Sequence, residues 1–357
     1  MLIIIIVIVG LSLLILGHEA GHFLVAKLFG LKVDEFGFGF PPRIGAIKKG
    51  DTEYSFNWLP FGGFVKISGE RGAFAMQDEM KDGAAKQKDA LQNSDDAKHL
   101  FFNQPAWKKS LIVLAGVFIN FIFGWILLSA VLMVGTPQTL VISGIQPDSP
   151  AAQVGIMAGD VVKDYKDSQS FINYVNTYRG QQITIAVLRA NKKINFTVTP
   201  RVTTSPDQGA VGVQLEEGGS PREAPLPAIW DGLQSSVILF GLTLVAFWQL
   251  IAQLFQHASL LPGVVGPVGI VGVAEETGKI GLMYLVQLLG IISINLAVVN
   301  LIPFPALDGG RFLMVVIEKI KGSAVPEKFE GWVNGVGFAM LLILMLLLTV
   351  RDIRGLI

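Results

Sequence analysis

From Leu2 to Ala26 the chain is almost unbrokenly apolar, and the ionisable side chains inside that run are His18, Glu19 and His22. Apolar sequence of this length reads as a transmembrane helix. Ionisable groups within hydrocarbon are costly, so their presence there points to function. The run spells H-E-x-x-H, His18-Glu19-Ala20-Gly21-His22. On a helix His18 and His22 fall one turn apart on one face, where two imidazoles can hold one Zn²⁺. Glu19 sits one step round, placed to take a proton from a water at the metal. Chance is the competing explanation for three fixed residues. Histidine is scarce, however: the chain has 4 in 357 residues, and two of them are here.

Composition extends the membrane assignment to the whole chain. Hydrophobic residues make up 51% and charged residues 16%, the balance of a multi-pass membrane protein. Lys+Arg and Asp+Glu are equal at 28 each, so there is no basic excess to suit a nucleic acid. There is no cysteine. That excludes disulfides and thiolate ligands and leaves any metal to histidine and carboxylate. No basic segment precedes the first apolar run and no small-residue cleavage site follows it, so residues 1–28 are expected to be a retained transmembrane helix rather than a signal peptide.

Residues 29–109 form a loop in two halves. The first, about 33–67, alternates and is rich in glycine and aromatics around Lys49-Gly50-Asp51, the pattern of a β-hairpin. It is unusually apolar for a water-exposed hairpin: either it is a small sheet packed on itself or, the favoured reading, it dips into the membrane beside the metal, where irregular backbone is tolerated if it lines a cavity. The second, about Ser68 to His99, is polar and solvated. Trp107-Lys108-Lys109 resembles an interfacial anchor. A second span follows at 110–135, with Asn120 read as an interhelical hydrogen-bonding group rather than a ligand. Residues 138–203 read as one small strand-rich domain. In the linker 204–283, residues 229–257 are apolar but carry Gln249, Gln253 and Gln256 near their end, and Pro262 to Gly269 breaks the chain.

A third span at 284–310 ends in Asn300-Leu301-Ile302-Pro303-Phe304-Pro305-Ala306-Leu307-Asp308-Gly309-Gly310. This is either a proline-kinked helix end with a glycine cap or the source of a third metal ligand, Asp308. Two histidines and one carboxylate leave a fourth position open, the arrangement of a catalytic zinc site. Asn295 and Asn300 lie five apart, a spacing at which both could face that cavity. A fourth span covers 333–350. The metal motifs at the ends of the first and third spans must lie on the same side. With four spans that parity holds only if 229–257 lies on the membrane or re-enters without crossing. Lys27, Lys32, Lys108, Lys109 and Arg311 cluster at that side, which should be cytoplasmic. The strand-rich domain is then extracytoplasmic.

Taken together, these motifs resemble the site-2 protease family of intramembrane zinc metalloproteases, in the branch of the bacterial regulator of sigma-E protease. The resemblance rests on HEAGH in the first span, the GFGF and LPFGGFVK segments, and the late N-L-I-P-F-P-A-L-D-G-G run. A fourth element is the S-P-A-A, G-I and A-G-D-V-V pattern between Ser149 and Val162, which is similar to a bacterial PDZ domain. It implies a polytopic α-helical membrane protein of about four transmembrane helices, with a membrane re-entrant β-hairpin and one inserted PDZ-like domain. It implies Zn²⁺ on His18, His22 and Asp308, with Glu19 activating water. It further implies that Gly37, Gly39, Gly62 and Gly63 line the site, that Asn300 helps place substrate, and that Pro303 and Pro305 shape the approach. The implied substrates are single-span membrane proteins such as an anti-sigma factor or a remnant signal peptide. The PDZ-like domain would take a peptide or C-terminus, although Lys166-Asp167 stands where such domains commonly carry an Asn-Gly turn. Relatives in this branch often have two such modules and this chain has room for one. A non-catalytic membrane scaffold working through the PDZ-like domain is the alternative. An intact Glu19 argues against it, and the lack of internal repeats argues against a transporter.

Overall fold

The computed structural model describes residues 2–70, 98–165, 167–189, 192–204, 208–257 and 266–356. The polar stretch from 71 to 97, Lys166 and the break at 258–265 therefore lie outside the described residues. Two compact units emerge: residues 1–129, 229–278 and 285–357 form the first, and 130–228 with 279–284 the second.

The first unit is helical around a small sheet. Helix α1 (Leu2–Leu28) and helix α2 (Ala106–Val134) run antiparallel. They approach closely because glycines face the contact: a Cβ on Gly21 would lie 2.8 Å from the Ala115 carbonyl oxygen, and one on Gly17 would enter the Phe123 ring. Small residues at such crossings let apolar helices meet without a hydrophobic driving force. Helix α5 (Pro225–His257) starts beside the C-terminal part of α2, where the Trp125 indole N–H donates to the Ile229 carbonyl at 2.9 Å. It then runs back along α2, with Phe240 against Phe121. Helix α6 (Pro267–Ile280) ends beside the start of α1, since a Cβ on Gly278 would touch Ile3. Helix α7 (Leu282–Leu301) passes α2 at Gly124 and Gly290. Helices α8 (Asp308–Lys321) and α9 (Glu327–Leu356) complete the unit.

Among the described residues, five helices are long and apolar enough to cross a membrane: α1, α2, α5, α7 and α9. Four spans were expected, with 229–257 kept from crossing. That parity argument loses its force because α6 is a return segment: the chain leaves the level of the α1 N-terminus along α5 and is back there by Gly278. Asp308 then reaches the metal motif whether or not α5 crosses. The sequence did not show α6 because its 14 residues include Glu275, Glu276 and Lys279.

Strands β1 (Val33–Lys49) and β2 (Thr52–Ile67) form the sheet after α1. It is more than a hairpin. Residues 46–49 pair with 52–55 across the turn, but Phe36 also lies opposite both Tyr54 and Val65, and Gly37 opposite both Ser55 and Phe64. The 33–38 segment is therefore flanked on both sides, and 43–49 and 63–67 are the outer segments.

In the second unit, β3 (Thr139–Ile145), β4 (Val161–Val162), β5 (Ile183–Arg189), β6 (Lys192–Val198) and β7 (Val213–Gly218) form one sheet in the order β6-β5-β4-β3-β7. Helices α3 (Pro150–Gln153) and α4 (Ser168–Thr177) pack on it, capped at their N-termini by the Ser149 and Asp167 side chains. Such caps satisfy amide N–H groups that no helix turn can reach. The core is Leu140, Ile142, Phe171, Ile185, Val187 and their neighbours. Edge strand β7 lies beyond residue 203, in what reads from sequence as linker, because a short, acidic VQLEEG gives little strand signal. Asp160 is buried among these strands. Burial pushes its carboxyl up, but hydrogen bonds from Arg189 at 2.7 Å and from the Met157 N–H at 2.9 Å outweigh that and hold it below the usual range.

Candidate metal centre

Helix α1 sets the first two donors. His18 and His22 lie four positions apart on the helix, so their imidazoles sit one turn apart, edge to face, with Nε2 atoms 3.3 Å from each other. The third donor comes from a sharp turn after α7. Ile302 to Leu307 fold back on themselves, with Phe304 N–H on the Ile302 carbonyl at 2.7 Å and Leu307 N–H on that of Phe304 at 3.2 Å. Ala306 takes a positive φ of 71°, and its N–H is held by Asn334 Oδ1 of α9 at 3.1 Å. Gly309 and Gly310 let α8 start directly against this turn: a Cβ on either would stand 2.2 Å from the Ile302 or Phe304 carbonyl oxygen. The result seats Asp308 in the first turn of α8, where a helix favours a negative charge.

The three side chains converge. Asp308 Oδ2 lies 3.0 Å from His18 Nε2 and 3.3 Å from His22 Nε2. All three residues are buried and could hold one ion. Four ligands at the 2.0–2.1 Å bonds of tetrahedral zinc stand about 3.3–3.4 Å apart, so the donor spacing suits that ion. Asp308 Oδ2 is buried without a hydrogen-bond donor, a cost that a cation would remove. Two imidazoles and a carboxylate are a borderline donor set, which favours Zn²⁺ over hard cations such as Ca²⁺. On donor identity, spacing and the orphaned oxygen, the residues present fit zinc.

Surrounding groups hold these ligands. His22 Nδ1 is 2.8 Å from the Ile112 carbonyl, and His18 Nδ1 is 3.2 Å from the Asn120 amide. Gly116 presents bare backbone to both rings: a Cβ there would lie 2.5 Å from His22 Nε2 and 2.6 Å from His18 Cε1. Glu19 is half-buried and stands outside the donor triangle. Its Cγ would be 3.4 Å from a Cβ on Gly63, which brings the outer segment of β2 to the motif.

Other residues singled out in the sequence are spread around this centre. Gly37 lies across the sheet from Phe64, and Gly39 takes a positive φ with its carbonyl held by Asn57. Gly62 also has positive φ. Asn295 accepts a hydrogen bond from Thr243 of α5 at 2.8 Å, a neighbour not foreseen, while Asn300 is half-buried at the end of α7. Pro305 packs tightly on Gly337 of α9. Sequence reasoning missed Gly116 and Asn334 and gave Asn120 only a structural role. The available signal was the four-residue spacing Gly116, Asn120, Gly124, a stripe of small residues and one polar group on a single face.

Comparison with known proteins agrees with this centre. The model of peptidase family M50 matches residues 6–344. The chain belongs to that family, the site-2 proteases. It is 32% identical to a Clostridium perfringens protein provisionally named a zinc metalloprotease, with 98% of each chain aligned. It is 31% identical to the zinc metalloprotease RasP of Geobacillus kaustophilus, over 97% of this chain and 96% of that one. Identity to the regulator of sigma-W protease RasP of Bacillus subtilis is 28%, over 96% of both. This member of family M50 is thus matched along nearly its whole length.

Proposed function

We propose that this chain is an intramembrane zinc metalloprotease that hydrolyses a peptide bond within or near the transmembrane segment of single-span membrane proteins. The observation that carries this is the convergence of His18, His22 and Asp308 from helices far apart in sequence, with Glu19 beside them. Zinc bound there supplies a Lewis acid that polarises the scissile carbonyl and makes water acidic near neutral pH. Glu19 takes the proton from the attacking water and delivers it to the leaving amine. The buried setting limits bulk water around the site. Purified protein should cut a single-span substrate in detergent, lose all cleavage on exhaustive chelation, and regain it with added Zn²⁺. Cleavage that survives complete metal removal, checked by elemental analysis, would sink the proposal.

A helical substrate must unwind to expose its amides. The 63–67 segment is an outer segment of the sheet and begins beside Glu19, so an unwound substrate can add to it as a further strand. Gly63 leaves room for that strand beside Glu19; Gly37, Gly39 and Gly62 are read as lining the same approach, and Asn300, Asn295, Pro303 and Pro305 as shaping its other wall. An apolar groove of about 310 Å³ between α2 and α5, lined by Val117, Phe121, Val237, Phe240 and Leu301, suits the side chains of an entering helix. The sheet carries Ile44, Ile47, Phe56 and Trp58 at 62–75% exposure. Apolar surface of that kind supports a sheet that re-enters the bilayer.

The second unit is read as the PDZ-like domain, extracytoplasmic, with edge strand β7 and α4 framing a peptide groove. It gates which substrates reach the site. Thr139 pairs with Gly218, so the ends of 139–218 are adjacent and a short glycine linker can replace the module. That deletion should broaden the range of substrates cut; an unchanged range would remove the gating role. The zinc motif is read as lying at the cytoplasmic side, because Lys27, Lys32, Lys108, Lys109 and Arg311 flank the span ends there. Since the chain lacks cysteine, single cysteines report sidedness cleanly. An impermeant maleimide should label Ser170→Cys in intact spheroplasts and Lys321→Cys only after permeabilisation. The reverse pattern would invert the topology. The name of the Bacillus subtilis relative, a regulator of sigma-W protease, makes an anti-sigma factor a natural class of substrate to test, with remnant signal peptides beside it.

A further inference from the structure

Helix α2 grips both metal-facing imidazoles from behind, but with two different groups. His22 Nδ1 meets the Ile112 carbonyl at 2.8 Å. A carbonyl only accepts, so Nδ1 carries the proton and the Nε2 lone pair points to Asp308 and the metal position. His18 offers Nε2 to the same point, 3.0 Å from Asp308 Oδ2. To donate that lone pair it too must carry its proton on Nδ1. The group facing that proton is the Asn120 side chain, which stands with its Nδ2 end 3.2 Å away.

Asn120 is 1% exposed, and its side-chain oxygen is buried without a hydrogen-bond partner. The two ends of an amide differ only in which way the group is turned. Two N–H groups cannot face each other, so a His18 poised for metal requires the oxygen at Nδ1, which also gives that oxygen its donor. The position is built for this contact. Ser293 of α7 donates to the Asn120 backbone carbonyl at 2.7 Å, and Gly116 and Gly124, one turn either side, bring α2 close to α1 and α7.

We propose that Asn120 is a positioning residue of the metal centre, whose side-chain oxygen accepts the Nδ1 proton of His18 and so fixes the imidazole with Nε2 toward the zinc. The inference rests on the zinc-site reading above. Second ligands of this kind orient the ring and typically alter metal affinity 10–100-fold when lost.

The test uses full-length protein in detergent and measures zinc affinity by competition with a chromophoric chelator. Asn120→Leu keeps the volume and removes the acceptor; Asn120→Asp keeps an acceptor. Expected is a loss of about 10–100-fold for Leu, with Asp recovering most of it, and a Co²⁺ absorption spectrum altered in the Leu variant alone. Thermal melting confirms that each variant folds; if Leu prevents folding, Asn120→Ala is read against Asp in its place. Wild-type affinity in the Leu variant, or equal losses in Leu and Asp, would overturn the proposal. His22→Ala is the control for the underlying reading. If it binds zinc as well as wild type, the metal centre itself is misassigned, a failure distinct from that of Asn120.

Discussion

Glu19→Gln should reduce cleavage of a single-span substrate by about 10²–10⁴-fold while leaving zinc bound. Three observations shape this expectation. Glu19 is not among the converging donors, which are His18, His22 and Asp308, so its loss leaves the ligand set complete. Glutamine has nearly the same shape, so the contact with Gly63 persists. What disappears is a group able to accept a proton in the transition state. His22→Ala and Asp308→Asn should differ in kind, losing metal as well as activity. Zinc content by elemental analysis therefore separates base from ligands. If Glu19→Gln cuts as fast as wild type, Glu19 is not the base and the mechanism is wrong. If wild type with zinc bound is inert on every single-span substrate tried, the partner-binding scaffold becomes the better account.

The chemistry of this site was legible because it is written in local motifs. HExxH encodes the spacing of His18 and His22 through helix geometry alone, and the apolar run around it shows that a soluble zincin is not the answer. Asp308 was legible for a similar reason: a lone carboxylate among prolines and glycines at the end of an apolar helix has few structural uses. Reading Asp308 as a third ligand asks that both motifs meet, and they do, at 3.0–3.3 Å. What escaped was non-local. Helix α6 returns the chain beside Ile3, but nothing in Pro267–Ile280 by itself says which helix it will lie against. Strand β7 finds β3 some seventy residues away, and backbone pairing leaves little trace in an exposed acidic strand. The double pairing of residues 36 and 37 is equally invisible, because alternation fixes which face a side chain takes and not how many neighbours a strand has. Asn120 lay between these cases. Its burial in an apolar span was evident, but its partner was not, since a polar group in a helix bundle has several candidates.

Gly116→Ala should abolish stable zinc binding, and with it cleavage, in a protein that still folds. By intrinsic propensity the change ought to help: alanine in a helix interior is favoured over glycine by about 1 kcal/mol. The obstacle is steric and specific. The added methyl would lie 2.5 Å from His22 Nε2 and 2.6 Å from His18 Cε1, distances at which something must move. The rings cannot simply rotate away. His22 is held at Nδ1 by the Ile112 carbonyl, from the same helix that carries the methyl, and His18 is held by Asn120, also on that helix. Relief must come from separating α1 from α2, which Gly17 and Gly21 now hold close, or from swinging the imidazoles out of line with Asp308. Either move breaks a donor geometry that tolerates errors of a few tenths of an ångström. Gly241→Ala on α5, where no atom lies within 4 Å of the new Cβ, makes the same helix substitution without the clash and should keep both zinc and activity. Zinc stoichiometry after dialysis, read beside thermal melting, decides the matter. A Gly116→Ala protein that retains zinc at wild-type affinity would show that α1 and α2 can part without cost, and that the close crossing of these helices is not what sets the metal centre.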